Sequence, residues 1–280
     1  MRRSAFATFL VYLAVAVLVV SILAPVFWLF VMSISGANDL TSIPLHWLPK
    51  DPDFSRYLRL FSLTDGSSGR EFLSALRNSL AVSLIATAIA LLAGIPAAYS
   101  FSRFPGRMAL LYTVIVTYMM PPVALILPLY KVFSALGLLN SIVALVIVYC
   151  TMLLPFVTWL MKSGFDAVPV EIEQAAEIDG ASLLQILRHI TLPVSAAAAG
   201  AAALFALLLA WDEFFYALLY TSDMRAKTLP VAIADFAAGR ATDYGLISAV
   251  GLLAALPPVL IGFFLQKSLL AGLSAGSVKG

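Results

Sequence analysis

Two adjacent carboxylates stand out because the surrounding sequence is strongly apolar. Asp212 and Glu213 are flanked by the aromatic residues Trp211 and Tyr216. Carboxylates accept hydrogen bonds from ligand hydroxyl groups and aromatic rings cover apolar C–H faces, so these four residues would suit a sugar pathway. An alternative is equally open, in which the aromatic residues form an interfacial belt and the acids anchor a loop or a partner subunit. On a continuous helix the two acids would point about 100° apart and would not face one ligand together.

A second candidate for a pathway is a proline-rich break, in which Pro121, Pro122 and Pro128 follow Met120. Proline removes a backbone donor and bends a helix, and the freed carbonyl groups can line a cavity in a membrane protein. The same break could equally serve packing alone. The sequence contains no nucleophile, metal-ligand or phosphate-loop motif, and His46 and His189 lie outside the long apolar segments. An intramembrane enzyme is therefore not favoured.

The composition places these residues in a membrane protein. Only 11% of the 280 residues are charged and 62% are apolar, whereas a soluble domain carries about 25% charged residues. A helix that crosses a bilayer needs about 20 apolar residues. The sequence predicts an all-α membrane protein that forms one domain over residues 1–280. Its six predicted transmembrane helices lie at about 8–34, 75–101, 108–131, 139–162, 193–220 and 245–267.

An even number of spans places both termini on the same side of the membrane. Arg2 and Arg3 precede the first span, and Arg103 and Arg107 lie in the short connection between the second and third spans. Positive charges beside short loops favour the cytoplasm, so we expect both termini to be cytoplasmic. The total numbers of Lys and Arg on the two sides are nearly equal, so the predicted orientation depends on the positions of these four arginines.

A polar segment, residues 163–192, separates the fourth and fifth predicted spans. Pro169 can occupy the first turn of a helix, where its missing amide costs nothing. Gly180 permits the left-handed backbone that ends a helix and redirects the chain. Ala181–His189 can then form a second short helix. The pattern predicts a helix, a glycine break, a second helix and a proline that opens the fifth span.

The spacing within this segment resembles the EAA loop of permease subunits from bacterial ABC importers. In that family the loop is a pair of short cytoplasmic helices that hold an ATP-hydrolysing partner. The resemblance therefore implies a cytoplasmic coupling loop between spans four and five, no enzymatic activity in this chain, and ATP and Mg bound by the partner ATPase rather than here. The residues expected to couple to the ATPase are Glu173, Gln174, Ala175, Ala176, Asp179, Gly180, Ala181, Ile190, Leu192 and Pro193.

One of these residues departs from the family pattern. Gln174 stands where the family usually has Glu, while Glu173 lies one residue earlier. Glutamine keeps the length and the hydrogen-bonding capacity of glutamate but loses its charge. Any ion pair that the family makes through that glutamate is therefore not expected at Gln174.

Four further segments are similar to carbohydrate permeases of the maltose-transporter type. They are the Phe101–Arg107 turn, Met120–Pro122, the Trp211–Phe214 segment, in which Asp212 replaces the usual Asn, and the C-terminal Ala271–Gly280. The resemblance implies a di- or oligosaccharide or a related glycoside as substrate. It also implies a bacterial inner membrane location, an ABC ATPase dimer, a second and different permease subunit and an extracytoplasmic sugar-binding protein. The glycine-rich tail is expected to reach toward the ATPase. A net charge of +2 gives no argument for a nucleic-acid partner.

Two other kinds of transporter remain open. An ABC permease for a non-sugar solute, such as an amino acid or phosphate, would share the same loop. A secondary transporter driven by an ion gradient predicts ionisable groups near the bilayer midplane and inverted repeats. Only Asp212 and Glu213, toward the outer end of the fifth predicted span, come close to that pattern.

Overall fold

The computed structural model describes residues 5–43, 46–64, 67–238 and 243–277, and the ordered elements among them are helices. The predicted all-α class is confirmed over these residues. In chain order the α-helices are α1 (Ala5–Ile34), α2 (Ala37–Thr41), α3 (Ser55–Leu60), α4 (Ser68–Arg103), α5 (Met108–Tyr118), α6 (Pro122–Ala135), α7 (Ile142–Asp166), α8 (Val170–Ile178), α9 (Leu183–Ile186), α10 (Leu192–Val194), α11 (Ala196–Trp211), α12 (Phe215–Tyr220), α13 (Leu229–Ala237) and α14 (Tyr244–Ser277). A 3₁₀ turn, Pro105–Arg107, precedes α5, and a π-helical turn, Leu187–Thr191, joins α9 to α10.

Within the described ranges, four helices are long and apolar enough to cross a bilayer alone. They are Phe6–Ile34, Ser68–Arg103, Ile142–Asp166 and Tyr244–Phe264. Two further pairs of helices pass the same test together, although one pair is bent by 90° and the other by 83°. The structure thus contains four to six candidate spans in its described part. α14 runs on to Ser277, and residues 278–280 of the predicted tail lie outside the described residues, as do Arg2 and Arg3.

The 90° bend lies at the proline-rich break in the third predicted span. α5 ends at Tyr118 and α6 begins at Pro122, with extended backbone at Pro121. Proline fits the first turn of a helix, where no amide is needed, and it disfavours helical backbone in the residue before it. The prediction that prolines interrupt this span is confirmed, although Pro128 lies inside α6 without ending it.

The 83° bend changes the predicted start of the fifth span. Pro193 was expected to open that span, but it belongs to α10, and the long apolar helix α11 begins only at Ala196. The backbone leaves the helical region at Ser195, whose hydroxyl donates to the carbonyl of Thr191 at 2.7 Å. A serine hydroxyl that bonds back to its own helix competes with the regular backbone pattern and bends the chain. The long apolar helix thus begins three residues after the predicted start at residue 193, while Pro193 stands in the first turn of the short helix α10.

The chain divides into two compact units, one of residues 74–231 and 257–280 and the other of residues 1–73 and 232–256. In the first unit, α5, α11 and α12 all pack against α7. α7 can accept this packing because it buries an apolar stripe with a four-residue repeat, as expected for one face of a helix. The stripe consists of Leu145, Tyr149, Leu153, Val157, Met161 and Phe165.

Small residues allow the helices of this unit to approach closely. A Cβ atom added at Gly164 of α7 would lie 2.5 Å from Cβ of Ala198 in α11, and one at Gly94 of α4 would lie 2.8 Å from Cγ1 of Val157. Such short distances cannot be tolerated without a shift of one helix. Close packing through small residues is the usual way in which membrane helices associate.

In the second unit, a buried arginine joins three segments that are distant in sequence. Arg56 of α3 donates to the carbonyls of Ser33 at 3.3 Å and Ser35 at 2.7 Å, at the end of α1. Its Nε donates to the carboxylate of Asp243, just before α14, at 3.1 Å. A buried guanidinium requires such partners because its charge is costly to desolvate.

Candidate functional site

The polar segment between α7 and α11 folds as its sequence predicts. α8 follows Pro169 and ends at Ile178, with Asp179 as its C-cap, and Gly180 has a φ of +85°. The amide of Gly180 donates to the carbonyl of Glu177, and the amide of Ala181 donates to the carbonyl of Ala176. This pair of bonds is the Schellman arrangement that ends helices at a left-handed glycine. The predicted helix and glycine break are confirmed.

The second helix of the segment is less regular than expected. It begins with a capping box, in which the side chain of Gln185 accepts from the amide of Ser182 at 2.8 Å. After the four residues of α9 the chain widens into the π-helical turn, and the predicted helix over Ala181–His189 is therefore only partly α-helical. Single π-helical turns of this kind are frequent at functional sites.

Glu173 of α8 points into the protein and is only 4% exposed. Its Oε1 accepts from Arg103 Nη2 at 2.7 Å and from Thr191 Oγ1 at 2.8 Å. Its Oε2 accepts from Arg103 Nε at 2.9 Å and from the Tyr99 hydroxyl at 3.0 Å. Burial raises the pKa of Glu173, but the hydrogen bonds from these three side chains outweigh that effect and hold the pKa below its ordinary value. Glu173 is therefore a buried carboxylate in a bidentate ion pair.

The same arginine extends the contacts of Glu173 to the end of α7. Arg103 Nη2 donates to the carbonyl of Val168 at 3.2 Å, and Nη1 donates to Ser102 Oγ at 2.9 Å. Ser102 in turn donates to Asp166 at 2.6 Å, which also pairs with Lys162 at 2.6 Å. The ends of α4 and α7 and the base of α8 are thereby joined. Sequence reasoning used Arg103 only as a charge beside a loop and did not connect it with Glu173.

The opposite side of the segment exposes apolar groups. Ile178 is 87% exposed and Leu184 is 72% exposed, and Val170, Ile172 and Leu183 are also exposed. We call these five residues the exposed apolar set of the loop. In a segment between membrane helices, such exposure is typical of a surface that another protein or the membrane interface covers.

The other predicted coupling residues divide between these two sides. Gln174, Ala175, Asp179, Gly180 and Pro193 are exposed. Ala176, Ala181, Ile190 and Leu192 are partly buried. Within this one short segment, five of the ten predicted residues therefore face outward and five are buried or partly buried. Glu173 is turned furthest inward.

Asp212 and Glu213 lie at a break between two helices. α11 ends at Trp211, which is buried, and the separate helix α12 begins at Phe215. The expectation that Asp212 and Glu213 share a continuous helix is therefore wrong. The carboxylate of Glu213 accepts from the amides of Tyr216 at 2.8 Å and Ala217 at 3.2 Å, so it caps α12.

The other residues predicted to line the pathway are found at two different hollows. A cavity of about 700 Å³ lies among α5, α6, α7 and α12, and its lining includes Thr117, Tyr118, Met120, Thr151 and Tyr216. A second hollow of about 340 Å³ is lined by Asp212, Glu213, Met152 and residues of α11. Met120 and Tyr216 thus come together, as expected for a pathway. Trp211 does not line either hollow.

Comparison with known proteins agrees with this architecture. Residues 86–274 match the family described as binding-protein-dependent transport system inner membrane component. The inner membrane ABC transporter permease protein YcjP of Escherichia coli is 32% identical over 96% of this chain and 95% of its own length. The sulfoquinovosyl glycerol transport system permease protein SmoH of Agrobacterium fabrum is 32% identical over 96% of this chain and 93% of its own.

A further relative and a solved structure support the same assignment. The trehalose transport system permease protein SugB of Mycobacterium tuberculosis is 32% identical over 92% of this chain and 93% of its own. The fold matches a chain in the crystal structure of a bacterial ABC transporter involved in the import of the acidic polysaccharide alginate. That match has a TM-score of 0.79 and 21% identity, and it covers 96% of this chain and 99% of the other. The chain belongs to the family of binding-protein-dependent transport system inner membrane components: it is a multi-pass ABC permease subunit, and ATP hydrolysis is carried out by a separate ATPase.

Proposed function

We propose that this chain is the six-span permease subunit of an ABC importer for a di- or oligosaccharide or a related glycoside. The relatives named for sulfoquinovosyl glycerol and for trehalose support a sugar substrate. In this proposal α5 and α6 together form the third span. α11 forms most of the fifth span, and Leu183–Val194, its bent partner, stays in the cytoplasmic loop. Residues 1–280 then form one transmembrane domain with both termini in the cytoplasm.

The partners follow from the same proposal. A second, different permease completes the pathway, an ABC ATPase dimer binds the cytoplasmic side, and an extracytoplasmic binding protein delivers the sugar. ATP and Mg are bound by the ATPase, and this chain binds no cofactor. The transmembrane helices are surrounded by the lipid bilayer, as their exposed apolar side chains require.

The observation that carries the proposal is the two-sided loop. The exposed apolar set, with Ile178 at 87% exposure, gives the ATPase a surface to bury. The buried ion pair of Glu173 with Arg103 holds the other side of α8 against the membrane helices. Closure of the ATPase dimer would then move α8 and the helices fixed to it, and the pathway would switch from inward-facing to outward-facing.

The cavity of about 700 Å³ is the part of the pathway that we assign to this subunit. The exposed ring of Tyr118 offers an apolar face, and the buried Tyr216 forms part of the wall. The hydroxyls of Thr117 and Thr151 donate to carbonyls of their own helices and can still accept hydrogen bonds from a ligand. Asp212 and Glu213 lie outside this cavity. A secondary transporter is disfavoured because Glu213, the more buried of the two acids, is already used as a helix cap.

Uptake in proteoliposomes that contain the complete transporter tests the proposal. Labelled trehalose, maltose and diacetylchitobiose are offered as probes, with ATP inside the vesicles or with a proton or sodium gradient instead. We expect at least one probe to enter only with ATP and binding protein. Gly180→Val should abolish uptake, because a β-branched residue in the left-handed conformation costs roughly 1–2 kcal/mol and reorients α8. Uptake that is driven by an ion gradient, or ATP-driven uptake unchanged by Gly180→Val, would contradict the proposal.

A further inference from the structure

The carboxylate of Glu173 is the most highly bonded side chain in the coupling segment. All four of its hydrogen bonds come from side chains outside α8, two from Arg103 and one each from Tyr99 and Thr191. We call these four residues the Glu173 junction. We infer that the junction makes α8, the end of α4 and the entrance to α11 move as one rigid body, with Glu173 as a positioning residue for coupling. This inference rests on the proposed role of the loop as the ATPase contact.

The geometry leaves the carboxylate little freedom. Both oxygens pair with the fork of one guanidinium, and each oxygen accepts one further hydroxyl. A bidentate pair fixes orientation as well as distance, which a single hydrogen bond cannot do. The side chains of Arg103 and Glu173 are only 11% and 6% exposed, so water does not compete effectively for these bonds.

The position of the donors determines which elements are joined. Tyr99 and Arg103 lie in the last turn and a half of α4, and Thr191 closes the π-helical turn before α10. Arg103 also donates to the carbonyl of Val168, which connects the junction to the end of α7. A displacement of α8 therefore acts on the ends of α4 and α7 and on the turn that leads through α10 to α11, because the side chains that join them are buried and hydrogen-bonded.

Stability alone does not explain this arrangement. A buried ion pair is weak evidence for stability, since well-packed apolar residues of similar volume often stabilise a protein as much or more. What apolar residues would not reproduce is the fixed angle between α8 and α4. Of the three glutamates of α8, only Glu173 is turned inward, whereas Glu171 and Glu177 are exposed.

The test compares variants in the complete reconstituted transporter. Glu173→Gln keeps the size of the side chain but removes its charge and the bidentate pair. Glu171→Gln is the matched control, because it makes the same change on the same helix at an exposed position. We expect Glu173→Gln to assemble and to hydrolyse ATP while uptake per ATP hydrolysed falls about tenfold, within the range usual for allosteric coupling. Glu171→Gln should match the wild type.

A distance measurement reports on the rigid body directly. Spin labels are placed at Leu92→Cys on α4 and Glu177→Cys on α8, both exposed, in a Cys150→Ala background. With the junction intact, the label-to-label distance should be narrow and the same without nucleotide and with ATP and vanadate. With Glu173→Gln it should broaden or change between the two states. A merely structural role would not give this nucleotide-dependent change.

Every result with Glu173→Gln either supports or overturns the role of the Glu173 junction. An unchanged distance and unchanged uptake per ATP in Glu173→Gln would overturn the junction. If that variant does not assemble, Tyr99→Phe and Thr191→Val, which each remove one hydroxyl, take its place. A partial loss of coupling in them supports the inference, and wild-type coupling in both overturns it. Failure of the ATPase to bind the wild-type permease contradicts the proposed function instead, whereas a bound and active complex that is insensitive to Glu173→Gln contradicts the junction alone.

Discussion

At the scale of single residues, Asp212 and Glu213 show how the backbone decides the role of a side chain. They are neighbours, but the end of α11 at Trp211 places Glu213 where its carboxylate meets free amides of α12. Free amides and the helix dipole at a helix start both favour a negative group. Asp212 is exposed and makes no comparable contribution to α12.

The two acids should therefore differ on substitution. Glu213→Ala removes both acceptors and is expected to destabilise the permease by about 1 kcal/mol. Asp212→Asn should change stability by less than about 0.5 kcal/mol, as is usual for an exposed position. Thermal unfolding of the purified permease in detergent measures both. Equal effects of the two variants would show that Glu213 is not a cap.

The pair of Arg56 with Asp243 gives a pH dependence. Burial raises the pKa of Asp243, but the hydrogen bond from Arg56 and the amides of Leu246 and Gly245 outweigh it, so the pKa is lowered from 3.8. Because the folded pKa is below the unfolded pKa, the pair stabilises the protein fully above about pH 4 and progressively less as pH falls below that value.

Asp243→Asn should accordingly lower stability at pH 7 by about 1 kcal/mol, a modest figure because the carboxylate is partly exposed to screening solvent. The difference from the wild type should shrink below pH 4. Melting temperatures between pH 3 and pH 8 provide the measurement. A difference that stays constant across this range would mean that the charge of Asp243 is not responsible.

The inward orientation of Glu173 shows the limit of sequence reasoning at this scale. α8 carries Glu171, Glu173 and Glu177, and any of the three has the chemistry for an ion pair. Which one is buried depends on Arg103, 70 residues away in the chain, whose position is fixed by the packing of α4. Local pattern does not contain that information.

At the scale of elements, turns that depend on one residue type were predictable and bends that depend on packing were not. Gly180 adopts the left-handed backbone that its position between two helical segments predicts. The π-helical turn and the size of the bend at Ser195 have no such signal, because a serine hydroxyl that bonds back to its own helix is compatible with a gentle bend as well as with one of 83°.

The close approach of α7 and α11 should be sensitive to one methyl group. Gly164→Ala places a Cβ atom 2.5 Å from that of Ala198, and the forced separation should cost about 1–3 kcal/mol. Gly251→Ala in α14 is the matched control, because a Cβ atom there meets nothing within 4 Å. The control should be neutral or stabilising, since alanine is the better helix former. Thermal unfolding that is equally affected by both variants would contradict this packing.

At the scale of the whole molecule, composition and one motif predicted more than any local element did. The low fraction of charged residues and the long apolar segments indicate a membrane protein, since few soluble proteins have such a composition. The polar segment with its glycine break resembled the loop of the family to which the chain belongs. The cavity beside the broken third span could not be predicted, because it is formed by four helices whose bends set its walls.

The account as a whole depends on the loop as the surface that binds the ATPase, and one measurement tests this most directly. The ATPase that copurifies with the permease is quantified for the wild type, Ile178→Asp and Ile43→Asp. Both isoleucines are strongly exposed, at 87% and 99%, but only Ile178 belongs to the loop. We predict that the amount of ATPase that copurifies with Ile178→Asp is at least about tenfold lower than with the wild type, because docking would bury an unpaired charge. Ile43→Asp should retain all of it, and wild-type binding by Ile178→Asp would contradict the account.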